Sequence, residues 1–484
     1  MSKARRPDVT VVGGGLAGCE AAVSLARRGW TVRLVEMRGV RSTPAHQTTD
    51  LGELVCTNSF KSEDPANAHG TLKREMRRLG SVLLASADRS KVPAGSALAV
   101  DRTLFAAEMS GAVARYDQIE VVRDEVIELP EGPTIIATGP LTSDALSASI
   151  RRALGDDGLA FFDAIAPIVH RDSIDESIVF EAGRFEESGD YLNCPMDRDE
   201  YAAFIDALKS AQAHDGHDWD AVPYFEGCLP IEVMASRGDD TLRFGPMKPI
   251  GLTDPRTGQR PWAVVQLRRE DRAGQMWNLV GFQTRLKIGE QRRVFTMIPG
   301  LADAEFLRWG SIHRNSYLNF PQRLTRWGSL PDRPDLIFAG QLTGVEGYTE
   351  SASSGLLAAL NMDRILRGLE PDVPPPTTML GGLYRFLHES SPKHFQPMNS
   401  NWGLIDPLPR RVRDKAEKRV LLAERADRDF VEWLGQVGVE SQPLPGPVSA
   451  ETPATETLAT EPPSAEPPSA EPVPSDSPGV AARP

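Results

Sequence analysis

Two cysteines in this 484-residue chain stand where a thiol could meet a ligand. Cys56 lies in the polar stretch 51–62, and Cys228 follows Glu226-Gly227 and precedes Leu229-Pro230, which constrains its backbone on both sides. A thiolate is a strong nucleophile, but its reactivity follows pKa and exposure, which these surroundings leave open. The other two cysteines read differently. Cys19 directly follows Gly18 on a helix, where a small buried packing residue is expected, and nothing around Cys194 marks it out. Four widely spaced cysteines make neither a disulfide framework nor a paired metal motif, so a reducing cytoplasm is expected. The histidines are scattered without an H-E-x-x-H arrangement, and no metal site is expected.

The second chemical feature is Gly13-x-Gly15-x-x-Gly18, with Gly14, Leu16 and Ala17 filling the pattern. Gly13 permits a tight turn, Gly15 lets backbone approach a pyrophosphate, and Gly18 lets a helix pack closely on a strand. The elements that must position them are legible on either side. Val9 to Val12 is a short apolar run for a buried strand, and Ala21, Ala22, Leu25 and Ala26 recur at helical spacing until Gly29. Trp30 to Val35 is a second strand that ends in Glu36, 23 residues past Gly13, where a ribose-binding acid is expected. A glycine-rich turn without a ligand would not need strand, glycines, helix, strand and acid in register.

Downstream, 37–50 is polar and reads as a loop over the cofactor. Leu72, Met76, Leu79, Val82 and Leu83 share one side of a helix, 101–113 is another helix, and 119–122 a strand. The strand 134–137 ends in Ala-Thr-Gly139, a turn that can bring backbone near a cofactor or simply end a strand. From about 151 to 325 the strand–helix alternation fades and aromatic, Pro and Arg residues increase, as in an inserted domain. Within it, 262–267 and 276–282 read as a hairpin. Residues 335–340 return as a buried strand ending in Gly340 and Gln341. A glycine-rich loop, 344–351, carries Tyr348, and a small-residue helix follows over 352–366. Residues 371–376 are a stiff Pro-rich break before a basic helical region to 440. The segment 441–484 has twelve prolines in 44 residues and is expected to be disordered. The fold expected is α/β: a Rossmann-like, glutathione-reductase-like FAD-binding domain in two parts (8–150 and 326–370), an inserted α+β substrate domain (151–325), a basic helical region (371–440) and a disordered tail (441–484).

The net charge of −13 is a poor guide to partners. Six acids against one Arg in 441–484 leave −8 for the rest, and local basic patches govern phosphate binding. Arg268, Arg269 and Arg272, then Arg292 and Arg293, and the cluster from Arg410 to Arg419 are candidate RNA contacts or merely solvated faces. Aromatic residues interleaved with Arg between 306 and 327 favour stacking plus charge. No run of eighteen apolar residues exists, so no membrane span is expected.

Several blocks together resemble the folate- and FAD-dependent tRNA (uracil-5-)-methyltransferase family (TrmFO), related to GidA-type flavoproteins. They are 11–22 around the glycines, Thr43-Pro-Ala-His46, 53–62 around Cys56, 191–196 around Cys194, 225–232 around Cys228, Arg243-Phe-Gly-Pro-Met-Lys-Pro-Ile-Gly-Leu252, 310–315, and 340–351. They span residues 8 to 405 in order, with the Pro-rich tail outside. The resemblance implies C5-methylation of the T-loop uridine at tRNA position 54. It implies 5,10-methylenetetrahydrofolate as carbon donor, FAD as cofactor and NADH or NADPH as reductant. It implies Cys228 as nucleophile, Cys56 as a second catalytic thiol, and Tyr348 near the isoalloxazine ring. Gln341 stands where many FAD enzymes have Asp, and no second glycine fingerprint marks a nicotinamide site.

Three alternatives remain on the sequence: the same chemistry on a ribosomal RNA uridine, an FAD-dependent small-molecule oxidoreductase, and a GidA-like modifier of the anticodon wobble uridine. A non-catalytic RNA-binding flavoprotein is a fourth class. The oligomeric state is open, with a monomer among the options.

Overall fold

A computed structural model describes residues 7–43, 45–155, 159–185, 189–214, 229–269, 274–392 and 395–444. The N-terminal part runs β1 (Val9–Val12), α1 (Leu16–Arg27), β2 (Val32–Glu36), β3 (Ser59–Ser62), α2 (Ala68–Arg78), α3 (Val82–Arg89), β4 (Lys91–Val92), β5 (Ala97–Val100), α4 (Arg102–Ala114), β6 (Ile119–Arg123), β7 (Thr134–Ile136) and α5 (Asp144–Leu154). β1, β2, β6 and β7 pair in parallel, and the apolar side chains of β1, β2 and β7 are buried, while the edge strand β6 is partly exposed.

The expected single helix carrying Leu72 to Leu83 is two. Gly80 turns at φ +74, and Ser81 starts α3 by accepting from the Leu84 N–H. Buried Glu20 of α1 completes that start, taking the Val82 N–H at 3.0 Å and the Leu83 N–H at 3.0 Å. The apolar periodicity is real, but the break is made by a glycine and a cap that periodicity does not register.

The middle part runs β8 (Leu159–Ile165), β9 (Ile168–His170), β10 (Phe180–Glu181), β11 (Tyr191–Met196), α6 (Arg198–Ser210), α7 (Ile231–Ser236), α8 (Thr241–Phe244), β12 (Ala263–Arg269), β13 (Met276–Leu279), α9 (Ile288–Phe295), β14 (Phe306–Arg308) and β15 (Ser311–Tyr317). β12 and β13 form the expected antiparallel hairpin inside a second sheet of order β10-β11-β12-β13-β9-β14. This sheet has a core of its own, with Leu192, Cys194, Phe204, Val265, Trp277 and Phe282 buried together. β8 and β15 pair antiparallel where the chain leaves and re-enters the first part.

The last part runs α10 (Phe320–Arg323), β16 (Ser329–Leu330), β17 (Arg333–Phe338), α11 (Tyr348–Leu366), α12 (Met379–Glu389) and α13 (Lys415–Gln436). β17 pairs in parallel with β7, giving the first sheet the order β16-β17-β7-β1-β2-β6. α11 begins four residues before the helix expected from the small-residue run, so Tyr348 to Ser351 are its first turn rather than loop. α11 packs against α1 where Gly355 meets the Ala17 backbone, and a Cβ on Gly355 would lie 2.2 Å from the Ala17 oxygen. Leu422, Phe430 and Trp433 of α13 join the same core, as do Leu146 of α5 and Phe320 of α10. Arg410, Arg411 and Arg413 precede α13 rather than lying on it. Among the described residues no helix is long and apolar enough to cross a membrane. The segment from 445 onward lies outside the described residues.

Candidate active site

The parallel strands β1, β2, β7 and β17 deliver their C-terminal ends to one edge of the first sheet, the edge at which such sheets bind ligands. Gly13 leaves β1 at φ +103, and a Cβ there would lie 2.6 Å from the Ala137 carbonyl oxygen. A Cβ on Gly18 would lie 1.8 Å from the Gly13 oxygen, and one on Gly14 would strike Leu51 at 2.5 Å. Gly15 differs, because a Cβ on it would meet nothing within 4 Å. Its bareness serves no protein contact. It caps α1, whose first free N–H groups and positive dipole end suit a phosphate. Leu16 and Ala17 are buried behind it, and Gly340, at φ +79 after β17, lies beside Ala17. Gly139 follows β7 at φ +66, and Gln341 donates to Glu346 at 2.8 Å.

Glu36 ends β2 and is buried. One carboxylate oxygen takes the Gly14 N–H at 2.6 Å, and the other takes the N–H and Nε of Arg38, each at 2.9 Å. Burial alone would raise the Glu36 carboxyl, but the Arg38 bond and charge with the two backbone donors outweigh it and hold it below the usual carboxylate range. Arg38 also reaches Glu53 at 3.3 Å. A cleft opens here, lined by Gly13, Gly15, Glu36, Arg38, Thr138 and Ser143 among others. The open face of Gly15, the helix start and the fixed acid suit the pyrophosphate and ribose of a dinucleotide such as FAD.

The chemistry-bearing end is built by a loop. Cys56, partly exposed, donates its backbone N–H to the Tyr348 hydroxyl at 2.7 Å, and Thr57 donates to the same oxygen at 3.2 Å. With two donors on its oxygen, the phenol keeps its own proton to give. Burial first, and the Cys56 side chain after it, push that phenol up, so it stays neutral. Arg102 holds the loop from below, donating to the Leu54 carbonyl at 2.7 Å and the Cys56 carbonyl at 2.8 Å. The second sheet holds it from above. Arg268 donates to the Asn58 side chain at 3.0 Å and also binds Thr57, while Asn58 donates to the Arg269 carbonyl at 2.9 Å.

The structure thus brings Cys56 and Tyr348 together, 292 residues apart in sequence. Cys228 lies outside the described residues. Leu229, its neighbour, is buried, and Ile231 of α7 donates to the Gln283 carbonyl at 2.7 Å, which ties that start to the second sheet's core. Cys19 and Cys194 are fully buried, and burial pushes the Cys19 thiol up to about 12, as for packing residues. Of the arginine runs, Arg268 is turned inward to the Cys56 loop, Arg293 pairs with Glu290 and Arg292 lies over Trp309.

Residues 8–370 match the family described as "Glucose inhibited division protein A". The chain is 53% identical over 432 residues to the methylenetetrahydrofolate–tRNA-(uracil-5-)-methyltransferase TrmFO of Geobacter sulfurreducens, covering 89% of this chain and 99% of that protein. It is 52% identical over 442 residues to the protein of the same name from Thermus thermophilus, covering 91% and 99%. The chain belongs to the TrmFO branch of the GidA family. A crystal structure of Aquifex aeolicus GidA shares the fold with a TM-score of 0.65 at 16% identity, over 90% of this chain and 76% of that one.

In this TrmFO-branch chain, several site residues carry no motif of their own. Arg38 and Arg102 are ordinary in sequence and became visible only when their partners were placed, whereas Asn58 falls in the family block 53–62. A second group surrounds Glu350 in the first turn of α11, fully buried, which accepts from Ser400 N–H at 2.9 Å and pairs with His69 at 3.2 Å. Burial would raise Glu350, but His69, the Lys61 charge and the Ser400 N–H outweigh it and hold it well below the usual range. Nearby Lys73 is buried, which pushes it down to about 7 against the pull of Glu350 and Glu63. Glu350 and Lys61 fall in the family blocks 340–351 and 53–62, but nothing in the sequence placed His69 or Lys73 beside them.

Proposed function

We propose that this protein methylates C5 of the T-loop uridine of tRNA, at position 54, with 5,10-methylenetetrahydrofolate as carbon donor, FAD as cofactor and NADH or NADPH as reductant. The observation that carries this is full-length identity above one half with proteins of that name, 53% over 99% of one of them. The backbone contact of Cys56 with Tyr348 after β17 is consistent with that reading. We assign the cytoplasm as its place of action, and residues 8–150 with 326–370 as the cofactor-binding part.

The cradle of Gly13, Gly14, Gly15, Leu16, Ala17 and Gly18 would hold the FAD pyrophosphate, Glu36 the ribose, and Gly139, Gly340, Gln341 and Tyr348 the other end. When bound, FAD supplies the redox chemistry that turns a transferred methylene into a methyl group. Uracil C5 is a poor nucleophile until a thiolate adds at C6 and gives C5 enolate character. We assign that addition to Cys228. After C5 has taken the one-carbon unit, its remaining proton must leave, and the Cys56 thiolate is assigned as the base. Its loop is fixed by Arg102, Arg268 and Tyr348, so its Sγ is presented from a braced backbone. Loss of that proton lets C5 expel the nitrogen that delivered the carbon, leaving an exocyclic methylene on the base. Hydride from the reduced cofactor would turn this into the methyl group, and the enolate so formed then expels the Cys228 thiolate from C6 and restores the ring.

The assignment of thiols is tested with tRNA carrying 5-fluorouridine at the target. Fluorine replaces the C5 hydrogen, so no proton can leave and the C6 adduct persists. Mass spectrometry should find RNA linked to the Cys228 peptide in the intact protein and in Cys56→Ala, and none in Cys228→Ala. Linkage to Cys56 instead would reverse the roles. Methylation of unmodified tRNA with the folate omitted would contradict the reading as a whole.

A further inference from the structure

The block Arg243–Leu252 was singled out in the sequence, and no step above uses it. In the structure its turn stands over one face of β12 and exposes Lys248, Ile250 and Gly251 to solvent. Gln266 and Arg268 share one face of β12, with Asn193 opposite Gln266 on β11. Arg268 ends that face at the Cys56 loop. About 7 Å further along the strand, at two residues of rise, Gln266 accepts from Arg184 Nε at 2.8 Å. Arg184 also donates to the carbonyls of Lys248 and Ile250, which fixes the 248–251 turn above the same face. Val264, about 14 Å from Arg268 by the same rise, packs with Leu252 and Phe180 beneath it.

What this turn shows to solvent is unusual. Phe185 is 78% exposed and Ile250 is 48% exposed. Phe185 holds φ +60, a region a bulky side chain rarely adopts, and its ring lies over Gly251, whose absent Cβ would stand 2.9 Å from it. A side chain there would dislodge the ring. Lys248 is exposed beside them, and among the described residues neither Lys248 nor Arg184 pairs with a carboxylate. Lys248 and Arg184 thus lie near the exposed ring without a carboxylate partner among the described residues, while Glu186 and Glu187, next in sequence, lie outside them.

We infer that Phe185, Ile250, Lys248 and Arg184 form a subsite for the RNA nucleotides flanking the target uridine, Phe185 stacking on a base and the two cations holding phosphate. The argument is charge complementarity with a flat apolar ring, the combination by which single-stranded RNA is held. The position fits as well, since the polar face of β12 leads from the Cys56 loop to this turn within the reach of one or two nucleotides. The inference rests on the RNA reading above.

The test uses the full chain, loaded with FAD, and an unmodified tRNA transcript with 2-aminopurine next to the target uridine. Phe185→Leu should weaken binding about tenfold, within the span of one stacking contact, and abolish the stacking change in 2-aminopurine fluorescence. Lys248→Ala should lower the salt slope of binding by about 0.7–0.9, one phosphate contact, and Lys248→Arg should restore it. Flavin content and NAD(P)H oxidation without RNA should not change in any of them. If the intact protein methylates tRNA and both variants bind with unchanged affinity, slope and fluorescence, the subsite is overturned while the function stands. If the variants lose self-association in sedimentation but not RNA binding, the face joins two copies and the inference is likewise overturned. If the intact protein binds no tRNA, the functional reading fails first and takes the subsite with it.

Discussion

At the scale of single residues, the glycines separate fold from ligand. Gly18→Ala forces a Cβ into the Gly13 carbonyl and should cost about 1–3 kcal/mol or more, read as a lower melting temperature. Gly15→Ala meets no protein atom, so it should melt near the parent protein yet carry much less flavin, read from absorbance per chain. A Gly15→Ala protein with full flavin would show that the ligand lies elsewhere. Arg38 is the converse case, buried between Glu36 and Glu53. Arg38→Met leaves two carboxylates uncompensated and should cost about 3–5 kcal/mol in denaturant unfolding. The glycines and Glu36 were legible in the sequence because backbone geometry dictates glycine at fixed spacing. Arg38 and Arg102 were not, since an arginine reads as surface until its partners are placed.

At the scale of elements, helix starts are set by acids from elsewhere in the chain. Glu75 of α2 is fully buried and takes the Met379 and Leu380 N–H groups at the start of α12, at 2.7 and 2.8 Å. Burial pushes its carboxyl up to about 8 from 4.5. A raised folded pKa means the folded state binds the proton that the unfolded chain has lost. The stability from this group is therefore full below about pH 4.5 and disappears as pH rises through about 8. Its slope is at most about 1.4 kcal/mol per pH unit. Glu75→Gln should remove this contribution, measured as a flatter dependence of unfolding free energy between those pH values. Such caps explain where sequence reading slipped. The strands β1, β2, β6, β7 and β17 were legible from apolar runs. The division of α2 from α3 and the early start of α11 were not, because Ser81, Glu20 and Gly347 set those ends and carry no periodicity.

At the scale of the whole molecule, two sheets with separate cores are joined at the Cys56 loop, and the candidate chemistry lies at that joint. The family resemblance was readable because its blocks include the glycine turn of 11–22, the Cys56 loop and the start of α11, whose residue types backbone and site geometry dictate, although Cys228 lies outside the described residues. The Geobacter sulfurreducens relative is covered to 99% of its length by 89% of this chain. A chain cut after Leu444 should therefore melt and methylate as the full chain does. Loss of activity on that cut would assign the last segment a role in the reaction. The central claim is carbon transfer from folate to uridine. The most direct measurement incubates the protein with NAD(P)H, methylene-labelled methylenetetrahydrofolate and an unmodified tRNA transcript, then maps the label by nuclease digestion. The account predicts label at the T-loop uridine, lost in Cys228→Ala. Label on ribosomal RNA but not tRNA would contradict the substrate, and NAD(P)H oxidation with no label on either would contradict the reaction.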